Sequence, residues 1–235
     1  MKNKKIINII AISVVGLLAC AILIGILNGL IGKGKWNLGW TDYQYDDSLY
    51  RTGEGTIAAP GIEHINLDWI DGNITVVICQ DAYISITEKA PTELTEKTTV
   101  HWYVSEDGKS LSIKYRASSS FFGRTKDKEK DLILRIPQKL IGQLQTLKVN
   151  AVSSNITVSD VLAQNTEVKT ESGNIQFEIS PNTSFILVHN AKNSSTPTID
   201  FPFIQAGNTY VCGTQGNRIA VDTNNGKLSV ISKYN

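Results

Sequence analysis

Residues 149–179, VNAVSSNITVSDVLAQNTEVKTESGNIQFEI, decide the fold because one pattern occurs in them twice. Val149 and Val168 each precede a polar corner, Ser-Ser-Asn or Ser-Gly-Asn, and an isoleucine, Ile156 or Ile175, follows that corner. The two copies are 19 residues apart, and apolar residues alternate with polar ones on both sides of the corner. Such alternation is typical of half-buried β-strands. The stretch therefore predicts two short strands per unit, joined at a corner.

This spacing extends through the C-terminal half and predicts stacked repeats of about 19 to 20 residues. Because one unit buries too little apolar surface alone, we expect a single-stranded β-solenoid-like domain, with an antiparallel β-sandwich as the alternative. One expected column contains Val149, Val168, Leu187, Val211 and Val230. A second contains Ile156, Ile175, Ile199 and Ile219, followed two residues later by Val158, Phe177, Phe201 and Val221.

Gly and Asn recur where the chain must turn, and both residue types tolerate positive φ. The expected corners are Asp71-Gly72-Asn73, Ser153-Ser154-Asn155, Ser172-Gly173-Asn174, Gly216-Asn217 and Asn225-Gly226. In this arrangement the last strand, residues 228–232, is an open edge that could pair with another copy.

The β-domain is expected to span residues 57–235, with N-terminal strands in 57–137 and the repeat region in 144–235. Glu106-Asp107-Gly108-Lys109 separates two alternating segments, which predicts a β-hairpin. Residues 117–130 are mostly polar and predict a loop, and the next strand is expected to end at Pro137.

The N-terminus predicts one transmembrane helix, because residues 6–32 contain no charged side chain and are long enough to span a bilayer with tilt. Lysines in residues 1–5 favour a cytoplasmic tail, and residues 33–56 are expected to form an extracellular spacer. We therefore expect a single-pass protein of the cell membrane with its C-terminal domain outside. A cleaved signal peptide is the competing interpretation, but its apolar region is usually shorter.

Two features of this segment suggest membrane-related contacts. Leu17-Leu18-Ala19-Cys20 resembles a bacterial lipobox, which would make Cys20 a lipidation site, although the sequence after it remains apolar. Gly25 and Gly29 have the GxxxG spacing that lets two membrane helices approach closely, so a homodimer through this helix is a hypothesis.

Composition and motifs indicate no enzyme and no nucleic-acid partner. The formal net charge is +1, so there is no basic footprint. The histidines, His64, His101 and His189, lack metal-ligand spacing, and no nucleophile or phosphate-binding motif is present. We predict no catalytic, cofactor or metal residues; Asp160, Glu167, Glu171, Glu178 and Asp200 are candidate surface carboxylates. Cys79 and Cys212 could form a disulfide or be separate small core residues.

Several short motifs resemble the bacterial "putative adhesin" family, a β-solenoid domain of unknown function in membrane-anchored envelope proteins. They are residues 71–76, DGNITV; 154–158, SNITV; 172–177, SGNIQF; and 134–137, LRIP, before 147–149, LKV. The resemblance covers about residues 57–235 and implies the fold, but it supplies no site residues.

The leading functional hypothesis is a non-enzymatic cell-surface module that binds a protein or a cell-wall polymer, because solenoids offer extended recognition surfaces. One alternative is a regulatory accessory of the envelope-stress response that acts through a membrane partner. A structural role and a polysaccharide-active enzyme are further alternatives.

Overall fold

The computed structural model describes residues 46–116, 129–193, 195–214 and 216–233. The predicted tail, transmembrane helix and most of the spacer, with Cys20, Gly25 and Gly29, lie outside these residues, as does most of the predicted loop. No helix in the described ranges is long and apolar enough to cross a bilayer.

The described residues form 16 strands and one short helix. The N-terminal strands are β1 Arg51–Thr52, β2 Gly55–Ala58, β3 His64–Cys79, β4 Tyr83–Lys89, β5 His101–Val104, β6 Ser110–Lys114 and β7 Asp131–Pro137. Helix α1, Gln138–Ile141, follows β7 directly. The remaining strands are β8 Thr146–Ser159, β9 Asn165–Ser172, β10 Ile175–Ile179, β11 Phe185–Ala191, β12 Thr198–Ile199, β13 Ile204–Ala206, β14 Thr209–Cys212, β15 Asn217–Asn225 and β16 Leu228–Ser232.

The strands belong to one sheet that divides into two branches, because the first and second halves of β3 and of β8 pair with different neighbouring strands. The first halves of β3 and β8 lie in the front branch, in the order β1-β5-β6-β3-β8-β9-β15-β11-β14-β13. Their second halves lie in the back branch, in the order β2-β4-β7-β3-β8-β10-β16-β12. In both branches apolar side chains alternate with exposed ones, so each branch buries one face.

The central strands pair in parallel, from β3 through β8, β9 and β15 to β11 in front and from β3 through β8, β10 and β16 to β12 behind. Parallel pairing excludes the antiparallel sandwich for this part of the sheet and gives the expected solenoid-like character. Among the described strands, the antiparallel pairs lie towards the ends of the two branches and include the predicted β5–β6 hairpin. Strands begin at Arg51, within the predicted spacer.

A front-branch strand and the back-branch strand that continues it together form one coil of the solenoid. The order in which the coils stack differs from their order along the chain. Strands β15 and β16 come last in sequence, yet they lie between β9 and β11 in front and between β10 and β12 behind. The expectation that residues 228–232 form an open edge is therefore wrong. Of the hydrogen-bonded neighbours at the corners, Asn155 and Asn174 have the predicted separation of 19 residues. Asn73 and Asn155 are 82 residues apart in sequence, and Asn174 and Lys227 are 53 residues apart.

The two predicted columns are correspondingly corrected. Val149 pairs with Val168, and Ile156 pairs with Ile175, as expected. The other members are displaced because the last coil is inserted between earlier ones. Leu187 pairs with Ile219 in the front branch, Ile199 pairs with Val230 in the back branch, and Val211 lies on the outer face of β14.

The corners are confirmed at four of the five predicted places, and close stacking explains their glycines. Gly173 has φ +118°, and a Cβ atom there would lie 2.1 Å from the carbonyl oxygen of Ser154. A Cβ on Gly226 would lie 2.0 Å from the carbonyl oxygen of Gly173. Gly216-Asn217 is instead the start of β15 and not a corner between branches.

Asparagine side chains link the coils at this corner. The Asn155 side-chain amide donates to Oδ1 of Asn73 at 3.3 Å, and Asn155 Oδ1 accepts from the backbone N–H of Asn174 at 3.0 Å. Asn174 Oδ1 in turn accepts from the backbone N–H of Lys227 at 3.1 Å. Asn155 and Asn174, which each precede a buried isoleucine, therefore satisfy a backbone donor of the neighbouring strand where the strand ladder is interrupted.

Cys79 and Cys212 are free thiols. Cys79 ends β3 in the back branch and Cys212 ends β14 in the front branch, where β14 is five strand steps from β3. At about 4.8 Å per step, this separation is far beyond the reach of a disulfide.

Candidate functional site

The candidate site begins where an aliphatic row of the front branch ends in a histidine. Leu67, Val149, Val168 and Val221 pair in succession across β3, β8, β9 and β15 and are fully buried. The next strand, β11, places His189 at this level beside Val221. The buried face of the sheet therefore becomes polar towards β11.

The neighbouring row changes from large to small side chains. Trp69 is followed across the strands by Ala151, Thr170, Thr223 and Ala191. The Trp69 side chain is buried and packs edge-on against Tyr115, with ring centroids 5.0 Å apart. Because the later residues are much smaller, an open groove of about 680 Å³ remains beside them. Its lining residues are Ala151, Lys169, Thr170, Glu171, His189, Asn190, Ala191, Lys192, Asn208, Asp222, Thr223 and Asn224.

His189 and Thr223 form the buried polar wall of the groove. Nε2 of His189 lies 3.3 Å from Oγ1 of Thr223, and the two residues are 5% and 1% exposed. Burial lowers the pKa of His189, although the nearby Asp222 carboxylate acts in the opposite direction. His189 is therefore neutral at neutral pH and can both donate and accept a hydrogen bond.

A chain of side-chain hydrogen bonds forms the groove rim. The Asn208 amide donates to Oδ1 of Asn190 at 2.6 Å, and the Asn190 amide donates to Oδ1 of Asp222 at 2.7 Å. Lys169 Nζ lies 3.2 Å from Oδ2 of Asp222. Burial alone would raise the pKa of Asp222, but the hydrogen bonds from Asn190 and Lys169 outweigh it and lower this pKa. The rim is consequently ordered and keeps Asp222 ionised.

The groove has balanced charge. Lys169 and Lys192 contribute two positive charges, and Glu171 and Asp222 contribute two negative ones. Amides, hydroxyls and the neutral His189 supply further donors and acceptors. This composition suits an uncharged ligand with many hydroxyl groups better than a phosphate-rich one, because a polyanion would meet no net positive field.

Some of the histidines and candidate surface carboxylates named in the sequence analysis line the groove, and others lie elsewhere. His189 and the candidate carboxylate Glu171 line the groove, whereas His101 lies beside Arg116 and Thr52, and Asp160 pairs with Lys233 at 3.2 Å. Within the described residues, no cluster of three or more His, Cys, Asp or Glu side chains could hold a metal ion.

Sequence reasoning missed Asp222, Thr223 and Asn190. The signal that could have found them is an aliphatic row that ends in His189, beside a neighbouring row that contains two threonines, Thr170 and Thr223. That signal becomes visible only once β15 is known to pair with both β9 and β11.

A family model described as "Toastrack DUF4097" matches residues 62–232. No curated protein sequence matches the chain.

The solved structures similar to this chain include the following three. A "putative cell adhesion protein" from Clostridium sporogenes is 11% identical with a TM-score of 0.55, covering 78% of this chain and 100% of that one. A "putative adhesin" from Bacteroides fragilis is 10% identical with a TM-score of 0.35, covering 77% and 97%. A "putative lipid binding protein" from Parabacteroides distasonis is 13% identical with a TM-score of 0.31, covering 79% and 68%. At these identities the first likeness concerns the fold alone.

Proposed function

The chain belongs to the Toastrack DUF4097 family, and from that premise we propose that it is a non-enzymatic, membrane-anchored module of the bacterial cell surface that binds a wall polymer. The proposal assigns binding to the groove beside His189. The similar Clostridium sporogenes structure is that of a "putative cell adhesion protein", which supports a surface role.

The groove rim supports polymer binding. Asn208, Asn190, Asp222 and Lys169 form one connected row across neighbouring strands, which spaces polar groups at intervals of about 4.8 Å. Because hydrogen bonds within the rim already hold its side chains in place, little conformational entropy would be lost when a ligand binds. A neutral glycan strand, with hydroxyl groups along its length, fits this repeated donor and acceptor pattern.

Co-sedimentation with purified cell walls tests the proposal. The full chain in detergent micelles is mixed with wall glycan from which anionic polymers have been removed, and the bound fraction is measured. Asp222→Asn, which removes the rim carboxylate, is expected to weaken retention at least about tenfold, by analogy with the loss of a hydrogen bond to a charged group. Glu106→Gln is the matched control, because it removes one exposed charge at the tip of the β5–β6 hairpin.

Equal retention of both variants and the wild type would contradict the groove as the binding site. Failure of the wild type to bind the wall, together with co-purification of one membrane protein from solubilised membranes, would favour the regulatory accessory instead.

The anchor is part of the proposal. Residues 6–32 would span the membrane with residues 1–5 in the cytoplasm, and Cys20 lipidation and a Gly25–Gly29 helix contact remain predictions. Protease added to intact cells is expected to remove the C-terminal domain and leave a membrane-embedded N-terminal fragment. Full protection of the domain in intact cells, with cleavage only after lysis, would contradict the proposed orientation.

A further inference from the structure

The end of the front branch carries an uncharged strand at its edge. β13 pairs antiparallel with β14, and β13 is the terminal strand in the order of this branch. Residues 201–217 contain no Asp, Glu, Lys or Arg, and this is the longest such run between residues 46 and 235. Proteins commonly place charges on edge strands to prevent pairing with other chains. This edge lacks that protection.

Apolar side chains lead to the edge on the outer face of the branch. Ile186 pairs with Val211, and Val211 pairs with Ile204, so these three residues lie side by side. Ile204 is 76% exposed, and the preceding Phe203 is 44% exposed. The row of Ile186, Val211 and Ile204 therefore ends at β13 with an apolar side chain that is exposed to solvent.

From this edge we infer that β13 is a pairing surface for a second copy of the chain, forming a two-fold symmetric dimer. In an antiparallel pairing centred on Gln205, Ile204 of each copy would lie opposite Ala206 of the other. The outer apolar row would then continue from one copy into the next and cover Ile204.

Charge and symmetry favour a second copy over an unrelated partner. An uncharged edge does not repel its own copy, and a two-fold axis makes both sets of contacts identical. The other end of the front branch is different, since β1 carries Arg51, whose guanidinium lies 5.1 Å from the centre of the Trp102 ring. Pairing of β13 with its own copy uses the same edge in both molecules, so it closes as a dimer and not as a filament. The edge strand β2 of the back branch is also uncharged, but its one large apolar side chain, Ile57, is buried, whereas Ile204 on β13 is exposed.

Sedimentation equilibrium of the full chain in detergent micelles tests this inference. The wild type is expected to form dimers, and Ile204→Lys is expected to raise the dimer dissociation constant at least about tenfold, because it buries a charge and loses an apolar contact. Leu49→Lys is the matched control: Leu49 is 63% exposed and belongs to none of the strands near β13, so its substitution should leave dimerisation unchanged.

A cysteine placed on the axis gives a second measurement. In the proposed dimer the two Gln205 Cβ atoms are about 4.5–5.5 Å apart, so Gln205→Cys should yield an oxidised dimer well above the background of the wild-type cysteines. A monomeric wild type overturns the inference. So does a dimer that Ile204→Lys leaves intact, particularly if the double variant Gly25→Leu, Gly29→Leu abolishes it, because the membrane helix would then be the interface.

Discussion

Nζ of Lys130 lies 2.7 Å from Oε1 of Glu88, and both side chains are completely buried. Lys130 also donates to the carbonyl oxygens of Thr98 and Arg116, and its ammonium group lies 4.2 Å from the centre of the Tyr115 ring. The Glu88 carboxylate accepts from the backbone N–H of Val100 at 2.7 Å. This ion pair therefore ties β4 to the segment before β5 and to the chain on either side of residues 117–128.

Removing one partner of this pair should destabilise the domain strongly. Lys130→Met leaves the Glu88 carboxylate buried without its counter-ion, and we expect the free energy of unfolding to fall by about 3–5 kcal/mol. The double variant Glu88→Leu, Lys130→Met should lose less than the single one, because no buried charge remains. Urea unfolding followed by tryptophan fluorescence measures both. A single variant as stable as the wild type would show that the pair is not buried.

Replacing the corner glycine Gly173 by alanine should also destabilise the fold. The substitution combines a strained positive φ with a clash against the Ser154 carbonyl, so we expect a loss of at least about 2 kcal/mol. Gly142→Ala is the control, since Gly142 has φ −65° and a Cβ there would meet nothing within 4 Å. Comparable losses in both variants, measured by urea unfolding, would contradict the stacked corner.

Stability should decrease as the pH falls below about 6.5, the ordinary pKa of histidine. Burial lowers the pKa of His189 and, together with Arg116, that of His101 in the folded protein. Between the unfolded and folded pKa values, the unfolded chain binds protons that the folded chain does not, so acid favours unfolding. This contribution is fully present above about pH 6.5. The variant His189→Val should lose less stability between pH 7 and pH 5 than the wild type. An equal loss would contradict a buried, neutral His189.

Filling the groove should block binding without unfolding the domain. Ala151 lies between Trp69 and Thr170 in the row that borders the groove. Ala151→Leu is therefore expected to reduce wall retention, while the added bulk at this buried position lowers the free energy of unfolding by about 1–3 kcal/mol and leaves the domain folded. Ala58→Leu, at an exposed position of β2 in the back branch, is the control and should retain wall binding. Unchanged retention in Ala151→Leu would place the binding surface elsewhere.

The sequence predicted local features of this fold well. The β5–β6 hairpin, the corners at Gly72 and Gly173 and the stacking of Ile156 on Ile175 all depend on residues close together in the chain or on one regular step. The insertion of β15 between β9 and β11 could not be predicted, because residue spacing alone does not show which coils become neighbours. The groove depends on that insertion, which brings Thr223 beside both Thr170 and the β11 strand of His189.

Histidine NMR of the full chain in micelles, titrated with wall glycan freed of anionic polymers, tests the groove most directly. The chain has three histidines, and of these His189 lines the groove, whereas His64 begins β3 and His101 begins β5. Loss of one signal in His189→Gln identifies its resonance. The account predicts that glycan shifts the His189 resonance and leaves the other two unchanged. A titration that shifts His64 or His101 while His189 stays fixed, or that shifts none of them at saturating glycan, would contradict it.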